Sequence, residues 1–369
     1  MPPTPVKVGV IGCGAISGAY LKQCPEFEIL EIAALSDLVP ERAAEKAQEF
    51  NVARVCTVEE VLADPEIEIV LNLTIPAAHY EVSRSIVSAG KSVWSEKPLT
   101  LTRDQGRDLL ALARKQKVLV GCAPDTFLGG GHQTCIKLIN DGVIGEPVSA
   151  TAFMSGHGPE GWHPNPAFYY KEGAGPLFDM GPYYLTALIA MLGPARRVTG
   201  STRISFPTRT ITSQPFAGEV VEVEVPTHVT GAVDFASGAI ATVIMSFDTW
   251  EHHLPQLEVH GTLGSLSVPD PNGPGGTPKV SMAGSGTWED VPLSHGYAEL
   301  SRSTGVADMA YALRSGRAFR ANGDVAFHVV DIMHAFYESS DQGRHIELES
   351  TCERPAPLPV GLAEGKLDE

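Results

Sequence analysis

Lys97 has the setting in this chain that most suggests chemistry. It follows an apolar, strand-like run, Ser92-Val93-Trp94-Ser95, and stands between Glu96 and Pro98 in the stretch SVWSEKPLT. A carboxylate, an amine and a helix-incompatible ring at the end of a strand place the amine on the rim of a sheet, where it can exchange protons with a ligand. The plainer alternative is an exposed turn lysine. A second set of candidates lies in GAGPLFDMGPYYLTALIAML, residues 173–192. If its helix starts near Phe178, Asp179 and Tyr183 fall at i and i+4 on one face. Their plainer roles would be a helix N-cap and a core aromatic.

The elements that must position these residues read as alternating strands and helices. An apolar strand over 6–11 runs into Gly12-Cys13-Gly14-Ala15-Ile16-Ser17-Gly18 and then a helix. In a dinucleotide-binding turn the first glycine permits the tight bend, the second lets backbone approach a pyrophosphate, and a small third residue lets helix and strand pack. Ser17 takes the third place here. A second strand over 29–35 ends at Ser36-Asp37, an acid about 20 residues past the glycines, placed for adenosine ribose hydroxyls. Asp37 would repel a 2′-phosphate, which favours NAD over NADP, although Ser36 and Arg42 leave NADP open. Capping the following helix is the other role open to Asp37. Strands over 68–73, 92–95 and 118–122 alternate with helices over 77–89 and 103–115, which implies a parallel sheet binding its ligands at the strands' carboxyl ends. Gly12, Asp37, Thr74, Glu96, Lys97 and Ala123 all fall at such ends.

Three stretches, GVIGCGAIS, ALSDLVPERA and TIPAAHYEVSRSIVSAGKSVWSEKPLT, closely resemble the Gfo/Idh/MocA family of oxidoreductases. The resemblance covers nearly the whole chain, and E-K-P at a strand end is its most diagnostic motif. It implies an α/β chain: an N-terminal Rossmann-type parallel sheet over 1–123, then an α+β domain over 124–360 with a large, mostly antiparallel, open-faced sheet, and a tail over 361–369. It implies NAD, with NADP less favoured, held by Gly12, Gly14, Ala15, Ile16, Asp37, Thr74, Pro76, His79, Glu96 and Lys97. It also implies that Lys97 is catalytic, that Pro98 sets the turn as a cis-proline does in some relatives, and that Asp179 belongs to the site. The family usually carries a histidine four residues after that aspartate; here Tyr183 stands in its place, so Lys97 or a nearby histidine takes more of the proton transfer. A lysine near the cationic nicotinamide and partly desolvated would have its pKa lowered, and a tyrosine beside it can relay a proton.

The second half favours strands and hairpins, most clearly 229–247 around Ala236-Ser237-Gly238. In GHGPEGWHPNPAFYY, Trp162 and His163 sit in a proline-pinned loop and offer a carbohydrate an aromatic face and a polar group. Asp125, directly after a strand, is a third candidate for substrate contact. Arg302 and His328 are further candidates to reach the substrate, with a surface position as the alternative for each. The Pro-, Gly- and Ser-rich stretch 269–287 reads as a mobile excursion.

The remaining features exclude more than they specify. A formal net charge of −17 disfavours nucleic acid. No apolar run approaches a membrane span, and six scattered cysteines without C-x-x-C fit a reducing cytoplasm. His252-His253 would point to opposite sides of an extended segment, so no metal is expected. The leading function is an NAD-dependent dehydrogenase oxidising a secondary hydroxyl of a sugar, glycoside or cyclitol, or the reverse, in a homodimer or homotetramer built through the C-terminal sheet. The alternatives are a redox-neutral glycosidase using NAD transiently and a non-catalytic NAD or sugar sensor on the same fold.

Overall fold

The computed structural model describes residues 4–300 and 302–368. The first part of the chain alternates β1 (Val6–Ile11), α1 (Ser17–Gln23), β2 (Leu30–Ser36), α2 (Pro40–Glu49), α3 (Val58–Ala63), β3 (Ile67–Asn72), α4 (His79–Ser88), β4 (Ser92–Ser95), α5 (Arg103–Gln116) and β5 (Val120–Cys122). Its five strands lie in the order β2-β1-β3-β4-β5, and every pair is parallel. Helices cover both faces of such a sheet, so its inner strands are largely buried, as the run SVWS of β4 shows, whereas the edge strand β2 keeps an exposed residue. Local chemistry starts two of the helices. Thr57 with Glu60 and Thr102 with Gln105 form capping boxes ahead of α3 and α5.

The second part contains α6 (Gly130–Asn140), β6 (Pro147–Ser155), α7 (Gly175–Leu192), β7 (Ala195–Arg203), β8 (Thr208–Thr210), β9 (Val220–Glu222), β10 (His228–Phe235) and β11 (Ile240–Ser246). It continues with β12 (Leu257–Gly261), β13 (Gly264–Val268), β14 (Lys279–Met282), β15 (Glu289–Asp290), α8 (Thr304–Ser315), α9 (Gly323–Gln342) and β16 (Ile346–Glu347). Nine strands form one sheet, β15-β14-β13-β12-β6-β11-β10-β7-β16. Only β6 and β11 run parallel in it. The period of two sorts its faces. Ala150, Ala152, Ala241, Val243 and Met245 are buried beneath the helices, whereas Ile240 and Thr242 face outward and are exposed. That open face, the 229–247 hairpin and the parallel N-terminal sheet agree with the sequence reading.

Two local expectations change. The helix expected near Phe178 begins at Gly175, because Pro176 supplies the preset φ of a first helical turn. Asp179 therefore lies inside α7 and is not its cap. The stretch 269–287 is anchored: Thr126 Oγ1 donates to the Pro271 carbonyl at 2.7 Å, Gly131 N donates to the Pro274 carbonyl at 3.2 Å, and β14 pairs with β13. Described residues of the tail over 361–369 also make contacts with the fold. Leu367 is fully buried, and the Tyr297 hydroxyl donates to the Ala363 carbonyl at 3.1 Å.

Trp94, fully buried, packs where the start of α8 meets the parallel sheet. A Cβ at Gly305, at the start of α8, would lie 2.1 Å from the Trp94 ring and 2.9 Å from Asp125 Cβ. Gly305→Ala should therefore overpack this junction and cost about 1–3 kcal/mol, read as a lower urea midpoint with altered near-ultraviolet tryptophan dichroism.

Candidate active site

Hydrogen bonds continuing past the strand ends align the sheet's carboxyl rim. Gly12 N donates to Ser36 O, Leu73 N to Ile11 O, Glu96 N to Asn72 O and Ala123 N to Ser95 O, each at 2.9 Å. Gly12 has φ +102, and a Cβ there would sit 2.7 Å from the backbone of Leu73, so the turn requires glycine. A Cβ at Gly14 would meet no atom within 4 Å. The protein leaves that side of the turn open, as backbone approach by a pyrophosphate demands. Ala15 and Ile16 continue the turn to α1, where the Ser17 hydroxyl bonds the Gly14 carbonyl at 2.7 Å.

Asp37 is fixed by two backbone donors, Cys13 N at 2.7 Å and Val39 N at 2.8 Å. It ties the glycine turn to the end of β2 and does not cap α2, whose N-cap is Val39. Thr74 and the half-buried Pro76 follow β3, and the Thr74 hydroxyl donates to Asn72 at 2.6 Å. His79 is fully buried, its ring nitrogens 2.7 Å from the Pro98 carbonyl and 3.0 Å from that of Thr74. It lies behind the crevice and staples together the two loops that line it.

Lys97 and α7 meet across this rim. Lys97 Nζ donates at 2.7 Å both to the Asp179 carboxylate and to the Asp179 carbonyl. It also sits 5.3 Å from the centre of the Tyr183 ring. The Lys97-Pro98 peptide is cis. The expectation of a lowered lysine pKa does not hold in this arrangement. Burial opposes the ammonium charge, but Asp179, Tyr183 and Glu96 together lift Lys97 above the ordinary value of 10.5. Lys97 is thus a cation, braced by α7. Burial, above all, raises the Tyr183 phenol, and the neighbouring Lys97 and Arg302 cations pull against that rise.

Glu96 turns inward from Lys97. Its carboxylate accepts from the Tyr20 hydroxyl at 2.9 Å and from Arg302 Nε at 3.2 Å, and the Trp94 indole donates to Tyr20 at 3.1 Å. Burial opposes its charge, yet Arg302 and Lys97 hold its pKa below the usual value. Asp125, expected to face the substrate, lies instead at the domain junction, 2% exposed. One oxygen accepts from Gly305 N at 2.8 Å, and burial pushes its pKa up to about 6. The short strand β5 delivers it inward, toward α8.

Trp162 is 68% exposed. The His163 ring packs edge-on against Trp162, Phe168 and Tyr169 at 5.1–5.5 Å, and its Nδ1 accepts from Asn165 N at 3.0 Å. Tyr169 carries this aromatic wall toward the Lys97–Asp179 pair. Burial first, and then the Asp179 charge, push its phenol up to about 12. Sequence reasoning passed over Tyr169, although the doubled tyrosine of AFYY just before the α7 glycines was a usable signal. His328, one of the two C-terminal candidates, is buried against Ala195 N at 3.0 Å and Ser350 at 2.8 Å. His252 lies against the Ser155 carbonyl. Among the described residues, no cluster of three or more metal-ligating side chains forms, and no helix is long and apolar enough to cross a membrane.

Two family models match along the chain: an oxidoreductase-family NAD-binding Rossmann fold over residues 6–123, and a GFO/IDH/MocA C-terminal domain over residues 132–267. The chain belongs to the Gfo/Idh/MocA oxidoreductases. Scyllo-inositol 2-dehydrogenase (NADP(+)) of Bacillus subtilis (strain 168) is 25% identical to this Gfo/Idh/MocA chain, over 93% of it and 96% of the relative. The 1,5-anhydro-D-fructose reductase of Ensifer adhaerens is 29% identical over 70% and 74% of the two chains. The solved structure of levoglucosan dehydrogenase with NADH and levoglucosan superposes with a TM-score of 0.79 at 20% identity, covering 94% of this chain and all of that one. This last likeness speaks for the fold.

The Lys97–Asp179 pair makes a titration prediction. Asp179→Asn removes the carboxylate that lifts Lys97, so burial should dominate and the Lys97 pKa should fall. In trace acetylation read by peptide mass spectrometry, native Lys97 should label only at higher pH than exposed lysines. In Asp179→Asn its labelling should move to lower pH and be faster at about pH 9.

Proposed function

We propose that this enzyme is an NAD-dependent dehydrogenase that oxidises a secondary hydroxyl of a sugar, glycoside or cyclitol to a ketone, or runs the reverse. The observation carrying this reading is Lys97 Nζ, held at 2.7 Å by the Asp179 carboxylate beside Tyr183, on the same rim as the open Gly12–Gly14 turn. The named relatives act on cyclitols and anhydro sugars, which agrees with this substrate class. Gly12, Gly14, Ala15 and Ile16 would hold the pyrophosphate side of the nicotinamide dinucleotide, and Asp37 the ribose hydroxyls. Thr74 and Pro76 line the same edge, with His79 and the inward-turned Glu96 supporting it from behind. A carboxylate at position 37 favours NAD over NADP, since a 2′-phosphate beside it would be repelled. The nicotinamide supplies hydride acceptance or donation.

The chain's own residues manage the oxygen. Lys97, a cation, donates a hydrogen bond to the reacting oxygen. Asp179 fixes that ammonium, and Tyr183 exchanges the hydroxyl proton. A cationic lysine and a protonated phenol suit ketone reduction at neutral pH. Trp162 and His163 would cover the sugar ring's outer face, with Tyr169 between them and the reacting centre. In this reading, residues 1–123 bind the cofactor, residues 124–360 bind the substrate, and the open sheet face around Ile240 and Thr242 joins subunits into a homodimer or homotetramer in the cytoplasm.

The test is turnover of a panel of free sugars, cyclitols and aryl glycosides with NAD+ and NADP+, following NADH absorbance and aglycone release together. NADH formed without cleavage, with NAD+ preferred, is the expected result, and Lys97→Met should lose at least about 100-fold. Aglycone released without net NADH would replace this reading with the redox-neutral glycosidase. No turnover in either direction would favour the sensor.

A further inference from the structure

We propose that Arg302 is a positioning residue: its guanidinium holds the Tyr183 hydroxyl as a hydrogen-bond acceptor, so that the phenol presents its own proton to the reacting oxygen. The proposal rests on the reading of Tyr183 as the proton-exchanging group. Arg302 belongs to neither the E-K-P segment nor α7; it arrives just ahead of α8 and is 8% exposed. Its Nη2 donates to the Tyr183 hydroxyl at 2.8 Å, while its Nε donates to Glu96 at 3.2 Å. A guanidinium has five donors and no acceptor. The Tyr183 oxygen must therefore accept in this bond, and its hydrogen is directed elsewhere.

The surroundings make the fork rigid. Arg302 N donates to the Gln23 side chain at 2.8 Å, and Cys24 Sγ donates to the Ser303 hydroxyl at 3.3 Å. Gly305 N is held by Asp125. The same Glu96 that orients Arg302 also receives the Lys97 backbone N–H at 3.1 Å, so the carboxylate next to Lys97 aims the cation that aims Tyr183. A planar fork reaches both groups, whereas the single ammonium of a lysine would not.

The ionisable groups that act on the Tyr183 phenol are Lys97, Arg302, Glu96, Asp179 and Tyr169. Among the first four, two cations face two carboxylates. Burial favours the neutral phenol, and the two cations moderate that preference. In ketone reduction, the carbonyl carbon gains hydride and its C–O π bond breaks. The oxygen then takes the Tyr183 proton. The phenolate left behind remains beside Arg302 and Lys97 until water reprotonates it. In the oxidation the same proton moves the other way. Arg302 thus serves twice: it aims the phenol and stabilises its anion.

Site-specific replacement of Tyr183 by 3,5-difluorotyrosine gives a more acidic phenol with its own fluorine resonance, titratable without any substrate. Arg302→Met should raise that group's pKa by about one pH unit or more, tenfold in proton affinity. Arg302→Lys should recover only part of the shift. Because Arg302→Met strands Glu96, Glu96→Gln/Arg302→Met serves as the better-folding variant and should show an upward shift too. On whichever substrate the enzyme turns over, Arg302→Met should lower kcat by about tenfold or more with little change in KM, and should add almost nothing in a Tyr183→Phe background. An unshifted fluorine titration, or equal losses with and without the Tyr183 hydroxyl, would overturn the proposal. A shifted titration in a protein that turns over no substrate would uphold the Arg302–Tyr183 coupling and strike down the dehydrogenase reading instead.

Discussion

Two carboxylates and two cations are gathered where the end of β4, α7 and the entry to α8 converge, and burial makes their positions interdependent. Glu96 and Arg302 are 7% and 8% exposed, and the Lys97 and Asp179 side chains 16% and 22%. A charge so removed from water is tolerated only when paired and hydrogen-bonded. Glu96 is answered by Arg302 and Tyr20, and Lys97 by Asp179. Each of these groups comes from a different stretch of chain, apart from the adjacent Glu96 and Lys97. Satisfying all four charges therefore brings the end of β4, the second turn of α7 and the entry to α8 into one place.

The rest of the fold serves that convergence. The parallel sheet puts the glycine turn, Asp37 and Lys97 on one rim, because hydrogen bonds continue from strand to strand past their ends. The large sheet gives α7 a buried bed, so Asp179 and Tyr183 keep the same face toward the rim. Trp94 joins the halves, packing against Gly305 and bonding Tyr20. The aromatic wall from Tyr169 to Trp162 then runs outward from the reactive groups, apolar in its body and wet at its far end. A carbohydrate ring, with apolar faces and polar edges, suits such a wall.

How much of this is legible in the sequence depends on the range of each interaction. The glycine turn, Asp37 and the E-K-P segment are signalled by residues close in sequence, and so are the two helix-spaced residues of α7. Arg302, a sequence candidate with no partner assigned, and Tyr20, with no local mark at all, find theirs 119 and 76 positions away, at Tyr183 and Glu96. The sign of the Lys97 shift was likewise hidden. Desolvation and a cationic ligand can be imagined from the sequence, but an anion at 2.7 Å appears only when α7 is in place. Asp125 looked like a rim residue because it follows a strand, yet α8, arriving from 180 positions away, covers it. The 269–287 stretch reads as loose by composition, and its anchors on Thr126 and Gly131 are again distant in sequence.

The most direct test of this charge-paired junction is a double-mutant cycle on stability. Urea denaturation would be followed for Glu96→Gln, Arg302→Met and the double variant. If burial couples the two charges, either single change costs about 3–5 kcal/mol by stranding its partner, and the double variant is more stable than either single one. Costs that simply add would contradict the account, since Glu96 and Arg302 would then be independent groups and not a pair on which the crevice is built.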